Sequence, residues 1–172
     1  MLPNTLLDWL TYDRAALDAF QWWRLLTGQF IHLRLHHLLL NLAGLSVAWL
    51  LFAENLAGFR YLWLLPIIAL SCSTGMLFFA PEINYYIGFS GVLYGIFTWG
   101  AAQDVMQQKT FSRLILMAII AKATYEFFIG PLQITAINAN PLATAAHFFG
   151  VASALCIACC HYLFGRIFNR NT

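Results

Sequence analysis

The chain has 172 residues, of which 61% are hydrophobic and only 9% charged, with a net charge of +2 at neutral pH. A soluble domain carries about 25% charged residues, so the composition excludes an ordinary water-soluble fold and indicates an all-α, polytopic membrane helical bundle, residues 1–172 forming one domain. The small net charge, with no basic run, gives no ground for a nucleic-acid partner.

Residues 1–35 interleave Asp8, Asp13, Arg14, Asp18, Arg24 and Arg34 with Trp9, Trp22, Trp23 and Phe30. That mixture predicts an interfacial loop with short amphipathic helices and aromatics at headgroup depth. The N-terminus lacks a basic stretch followed by a long apolar run, so no signal peptide is expected. Five apolar stretches follow, at about 36–53, 61–80, 87–102, 111–129 and 142–164, each near the ~20 residues that a bilayer core requires. Cys72, Cys156, Cys159 and Cys160 all lie in these stretches. Although Cys156-x-x-Cys159 has a redox or metal spacing, it lacks further ligands, so buried small hydrophobes are expected, with no metal site and no cofactor. Alternating the loops puts Arg60, Lys109, Arg113, Arg166 and Arg170 on one side and Arg14, Arg24 and Arg34 on the other. The positive-inside rule then predicts a cytoplasmic C-terminus, with residues 1–35 and the 81–86 and 130–141 loops facing outward.

Gly88-Phe89-Ser90-Gly91 opens the third stretch, and His147 lies near the start of the fifth. A serine attacks a carbonyl only if a base takes its proton, and a histidine within a membrane span is costly and functional by default. At a helix start Ser90 would have free backbone N–H groups beside it, suited to a developing oxyanion. Gly91-x-x-x-Gly95 and Ala146-x-x-x-Gly150-x-x-x-Ala154-x-x-x-Ala158 are small-residue ladders that let helix backbones touch, and the second shares its face with His147. Both ends of the pair fall near the outer surface, on helices running in the same direction.

His37 and Asn41, spaced i, i+4, fall on one face of the first span. Both can donate to an oxyanion, or simply satisfy each other or a loop carbonyl. Lys122 and Glu126 are a second i, i+4 pair; mutual pairing in a structural role is the first expectation, with contact between Glu126 and substrate the alternative. His36 is expected at the interface, His161 at the opposite boundary, and His32 as a brace within the outer loop.

These residues resemble the rhomboid intramembrane serine proteases. The matching pieces run in the family's order: Trp23-Arg24, His32, His37-x-x-x-Asn41, Glu54-x-x-x-Gly58, Gly88-x-Ser90-Gly91 with Tyr94, and Ala146-His147-x-x-Gly150. The resemblance implies a serine endopeptidase with Ser90 as nucleophile and His147 as general base, a dyad with no aspartate. Tyr94 would support the His147 ring, and the Ser90 N–H with His37 and Asn41 would form the oxyanion hole. Gly88, Gly91 and Gly150 would allow close approach, while Arg24 and Glu54 would be structural. The implied substrate is a membrane-anchored protein cut near the outer leaflet of a bacterial inner membrane. Residues 23–28 and 41–44, with Tyr12-Asp13-Arg14, look most like the rhombosortases, which process C-terminal Gly-Gly sorting tails. Two features depart from the family pattern. Ala154 stands where a second glycine is frequent, and the six-span core would place a span ahead of Trp23, where the residues are not apolar enough to cross. A non-catalytic rhomboid-like client-binding protein and a small transporter using His37, Lys122, Glu126 and His147 are the rival readings.

Overall fold

The structure, a computed structural model, describes residues 4–58, 60–130 and 141–168. Most of the 130–141 loop, and Arg170, lie outside these. Residues 4–30 form a cap of short elements: α1 (Asn4–Leu10), β1 (Tyr12–Asp13), α2 (Arg14–Asp18) and α3 (Arg24–Thr27). Asp13 caps α2, its carboxylate accepting from the Ala15 and Ala16 amides at 3.0 and 3.4 Å, the usual service of an acidic N-cap. Five longer helices follow: α4 (Leu35–Leu56), α5 (Arg60–Phe79), α6 (Ser90–Met106), α7 (Thr110–Phe128) and α8 (Pro141–Phe168). They correspond in order to the five apolar stretches. Between α5 and α6 a two-residue strand, β2 (Tyr85–Tyr86), pairs antiparallel with β1, Tyr12 opposite Tyr86 and Asp13 opposite Tyr85. The cap is thereby joined to the segment that leads into Ser90.

The outer surface is inverted relative to a soluble protein. Leu50, Leu62, Phe79, Met117 and Phe128 are each at least two-thirds exposed, whereas polar Gln29, Ser73, Thr98 and Asp104 are buried. Large exposed apolar surface and a polar interior fit a bundle solvated by lipid. The chain is thus an all-α polytopic membrane bundle. Leu35–Leu56, Leu62–Phe79 and Thr144–Phe164 are long and apolar enough to cross by themselves. Of the other two, α6 has only 17 residues and is buried on nearly every side, so its neighbours, not lipid, surround it. α7 carries Arg113, Lys122 and Glu126; the last two turn toward α6 and α8.

α6 is the centre of the bundle, packed by α4, α5, α7 and α8. Its contact with α8 is backbone on backbone. A Cβ on Gly91 would stand 2.8 Å from the Ala146 carbonyl oxygen, and one on Gly95 would stand 3.0 Å from that of Gly150. Real side chains do not approach as closely as the first of these and seldom as closely as the second, so glycine is what permits this crossing distance. At the end remote from Ser90, Asp104 accepts from Asn55 (2.6 Å), Lys109 (2.9 Å) and Ser112 (3.0 Å). That network ties α4, α6 and α7 together while satisfying a buried carboxylate.

Candidate active site

The chain enters α6 through a turn that several independent contacts hold. Gly88 has φ +137°, a conformation that L side chains rarely adopt. Its amide donates to the Gly28 carbonyl at 3.1 Å, and its own carbonyl accepts from the Tyr86 hydroxyl at 3.0 Å. Burial pushes the Tyr86 phenol well above its ordinary range, so it serves as a hydrogen-bond donor. Ser90 is the first residue of α6, and Phe89 before it offers no side-chain cap. The helix therefore begins with Ser90 at its positive end, where backbone N–H groups and the helix dipole favour a developing negative charge.

Across the α6–α8 contact, His147 Nε2 lies 3.0 Å from Ser90 Oγ. The two residues are 57 positions apart in sequence. They meet because Gly91 follows Ser90, Gly150 lies one turn beyond His147, and these glycines bring the two backbones together. Tyr94, one turn into α6, stacks on the imidazole with ring centroids 4.2 Å apart and 12° between planes. On the far side of the ring, Nδ1 lies 3.4 Å from Glu126 Oε2. The Lys122 ammonium bonds to Glu126 Oε1 at 2.7 Å and also to the Tyr94 hydroxyl. Lys122 and Glu126 do pair as expected, but the pair is also part of the histidine's surroundings. Sequence spacing gave no sign of this, because spacing relates residues within one helix and this contact runs between α7 and α8.

Asn41 is buried in α4, and its Nδ2 lies 2.7 Å from His32 Nε2. Its partner is thus neither His37 nor a loop carbonyl. The His37 ring packs edge-on against His32, with centroids 5.0 Å apart, and its Cε1 fills the space where a Gly88 Cβ would sit. Burial, reinforced by His37, holds His32 below the ordinary imidazole value; uncharged, it can accept from the Asn41 amide. His32 therefore belongs to the same cluster as His37 and Asn41 rather than only bracing its loop. His36 is exposed, and His161 lies far away, beside Gln103 and on the Trp99 ring. Tyr86 had no signal in the sequence beyond standing four residues before Ser90.

The cap around this site is held by two arginines. Arg24 is buried and donates to the Asp8 and Thr11 carbonyls at 2.6 and 2.7 Å. Arg14 donates to the carbonyls of Met76, Leu77, Ala80 and Ile83 at 2.9–3.2 Å. Its guanidinium thus closes the C-terminal end of α5 and the turn that follows it, where the helix dipole favours a cation.

Beside Tyr94 an apolar groove runs over the outer face of α6, lined by Leu93 and Phe97 of that helix and by Ile115, Ile119 and Lys122 of α7. α4 and α7 each pack on α6 but scarcely touch one another. Residues 19–164, most of the chain, match the Rhomboid domain. A search of curated proteins finds no match.

Proposed function

Because the chain belongs to the rhomboid family, we propose that it is an intramembrane serine endopeptidase in which Ser90 is the nucleophile and His147 its general base. The observation that carries this reading is the 3.0 Å approach of His147 Nε2 to Ser90 Oγ at the first turn of α6. In the proposed reaction, Ser90 Oγ attacks the scissile carbonyl while Nε2 takes its proton. The oxyanion forms over the start of α6, where the Ser90 N–H points and where the His37 and Asn41 side chains can donate. A preorganised donor of this kind contributes about 10²–10³ in rate. Nε2 returns the proton to the leaving amine, and water resolves the acyl-enzyme.

The substrate would be a membrane-anchored protein whose apolar anchor reaches the site from lipid between α4 and α7. The groove over α6 supports this route, since it ends at Tyr94 and hence at the His147 ring. We further propose a rhombosortase-like specificity for C-terminal Gly-Gly tails. Glycine carries no Cβ and weakens a helix that contains it, which suits a segment that must unwind beside the tightly packed Gly88 turn. The expected setting is a bacterial inner membrane, with the site toward the periplasm and the C-terminus in the cytoplasm.

Ser90→Ala and His147→Ala should each abolish cleavage of a reconstituted membrane-anchored protein ending in a Gly-Gly tail, and each should abolish fluorophosphonate labelling. Both variants should keep the wild-type thermal transition. Undiminished cleavage by either one sinks the proposal; a well-folded wild type that neither cleaves nor labels would instead favour a non-catalytic client-binding role.

A further inference from the structure

The α7 pair, Lys122 and Glu126, is placed where a merely structural ion pair need not be. Glu126 is 5% exposed in its side chain, and its two oxygens are divided between two partners: Oε1 faces Lys122 at 2.7 Å and Oε2 faces His147 Nδ1 at 3.4 Å. From this division we infer that Glu126 is a positioning residue for His147, fixing its tautomer, and that Lys122 fixes which oxygen of Glu126 does so. The inference rests on the reading of Ser90 and His147 as nucleophile and base.

A carboxylate has acceptors only, so the Nδ1 that faces it must carry the proton. The neutral ring then has its lone pair on Nε2, the atom that lies 3.0 Å from Ser90 Oγ. The opposite tautomer would present an N–H to the serine and could not take its proton. When Nε2 does take that proton, the new imidazolium faces Oε2, and the contact strengthens as the reaction proceeds. A gain made mainly in the transition state raises turnover rather than substrate affinity. The 3.4 Å separation suits that behaviour, because catalytic hydrogen bonds are often long in the resting enzyme and tighten later.

Lys122 makes the arrangement possible in an apolar setting. A buried carboxylate without a cation would be strongly disfavoured, and the Lys122 ammonium supplies one while also holding the Tyr94 hydroxyl. Tyr94 in turn stacks on the imidazole. Among the described residues, the ionisable groups facing this end of α8 are Lys122 and Glu126 from α7, Tyr94 from α6, Tyr86 of β2, which is buried with Ala145 and Ala146, and Cys72 of α5, whose thiol donates to the Ala146 carbonyl. Of these, only the Glu126 carboxylate is an anion in contact with the ring.

Glu126→Gln separates this role from packing, because it keeps the shape and removes the charge. Lys122 has donors only, so the amide must turn its oxygen toward Lys122 and its NH₂ toward Nδ1. The NH₂ can only donate, which drives the ring proton to Nε2. The expected loss in the fluorophosphonate labelling rate of Ser90, and in kcat with KM little changed, is about 10²–10⁴-fold. In Lys122→Met/Glu126→Gln the amide is free to turn its oxygen to Nδ1, and at least about a tenfold recovery over Glu126→Gln is expected.

The tautomer itself is read by ¹⁵N-histidine NMR of the full chain in nanodiscs, with His147 assigned from His147→Gln. The wild type should show a protonated Nδ1 and a bare Nε2, and Glu126→Gln should reverse them, a change that a purely structural ion pair would not produce. A wild-type spectrum with Nε2 protonated, or a Glu126→Gln variant labelled at the wild-type rate, overturns the role of Glu126 while leaving Ser90 and His147 as proposed. Absence of Ser90-dependent labelling in the wild type would instead remove the protease reading, with the spectrum still deciding the orientation of His147.

Discussion

Gly150→Ala is the smallest perturbation that should disable the site without touching any reacting group. The added Cβ would be driven into the Gly91 carbonyl: it would stand 2.9 Å from the Gly91 carbonyl carbon, and closer still to the oxygen. Comfortable carbon–carbon contact begins at about 3.5 Å, so the carbon alone demands a separation of roughly 0.6 Å, and the oxygen more. Neither neighbour can turn aside, because both are backbone within helices, and Cys72 Sγ closes a further side at 3.4 Å. α8 must therefore move off α6 by close to 1 Å at the level of Ser90 and His147. A 3.0 Å hydrogen bond does not survive that shift, and misplacement of this size costs about 10²-fold in rate. Overpacking should also remove about 1–3 kcal/mol of stability. Fluorophosphonate labelling and thermal unfolding, measured on the same reconstituted sample, check both figures. A Gly150→Ala protein that labels at the wild-type rate with an unchanged midpoint would refute the idea that backbone contact sets the distance between Ser90 and His147.

Arg14→Met leaves four carbonyls, at the end of α5 and in the turn after it, without their cation. The expected destabilisation is about 2–4 kcal/mol, a fall of roughly 5–15 °C in thermal midpoint; a shift under about 2 °C would show that the guanidinium is not holding the cap. Asn41→Ala should lower kcat by about 10²–10³ with KM little changed. A raised KM with unchanged kcat would place Asn41 in ground-state binding rather than at the oxyanion.

Much of the bundle was legible because helices in lipid advertise themselves by length and composition. The five apolar stretches correspond to α4–α8 within a few residues, and the ladders through Gly91 and Gly150 mark the α6–α8 crossing. Two helices were less plain. α6 is shorter than a lone span needs, since protein surrounds it, and α7 carries three charges, two of which face inward. The pairing of Tyr12 and Asp13 with Tyr85 and Tyr86 was not legible, because two-residue strands have no periodicity to detect.

The sequence by itself determined the membrane class, the order of the helices and the residue types able to act, since each depends on composition or on spacing within one element. Ser90 at a helix start and His147 on a small-residue face are properties of that kind. Only the tertiary structure decided what those residues touch. It put Asn41 on His32 rather than on His37, and turned the second oxygen of Glu126 toward His147. Contacts of this kind run between helices whose relative rotation is set by the whole packing, by glycines that let two backbones meet and by charges that must find partners away from lipid.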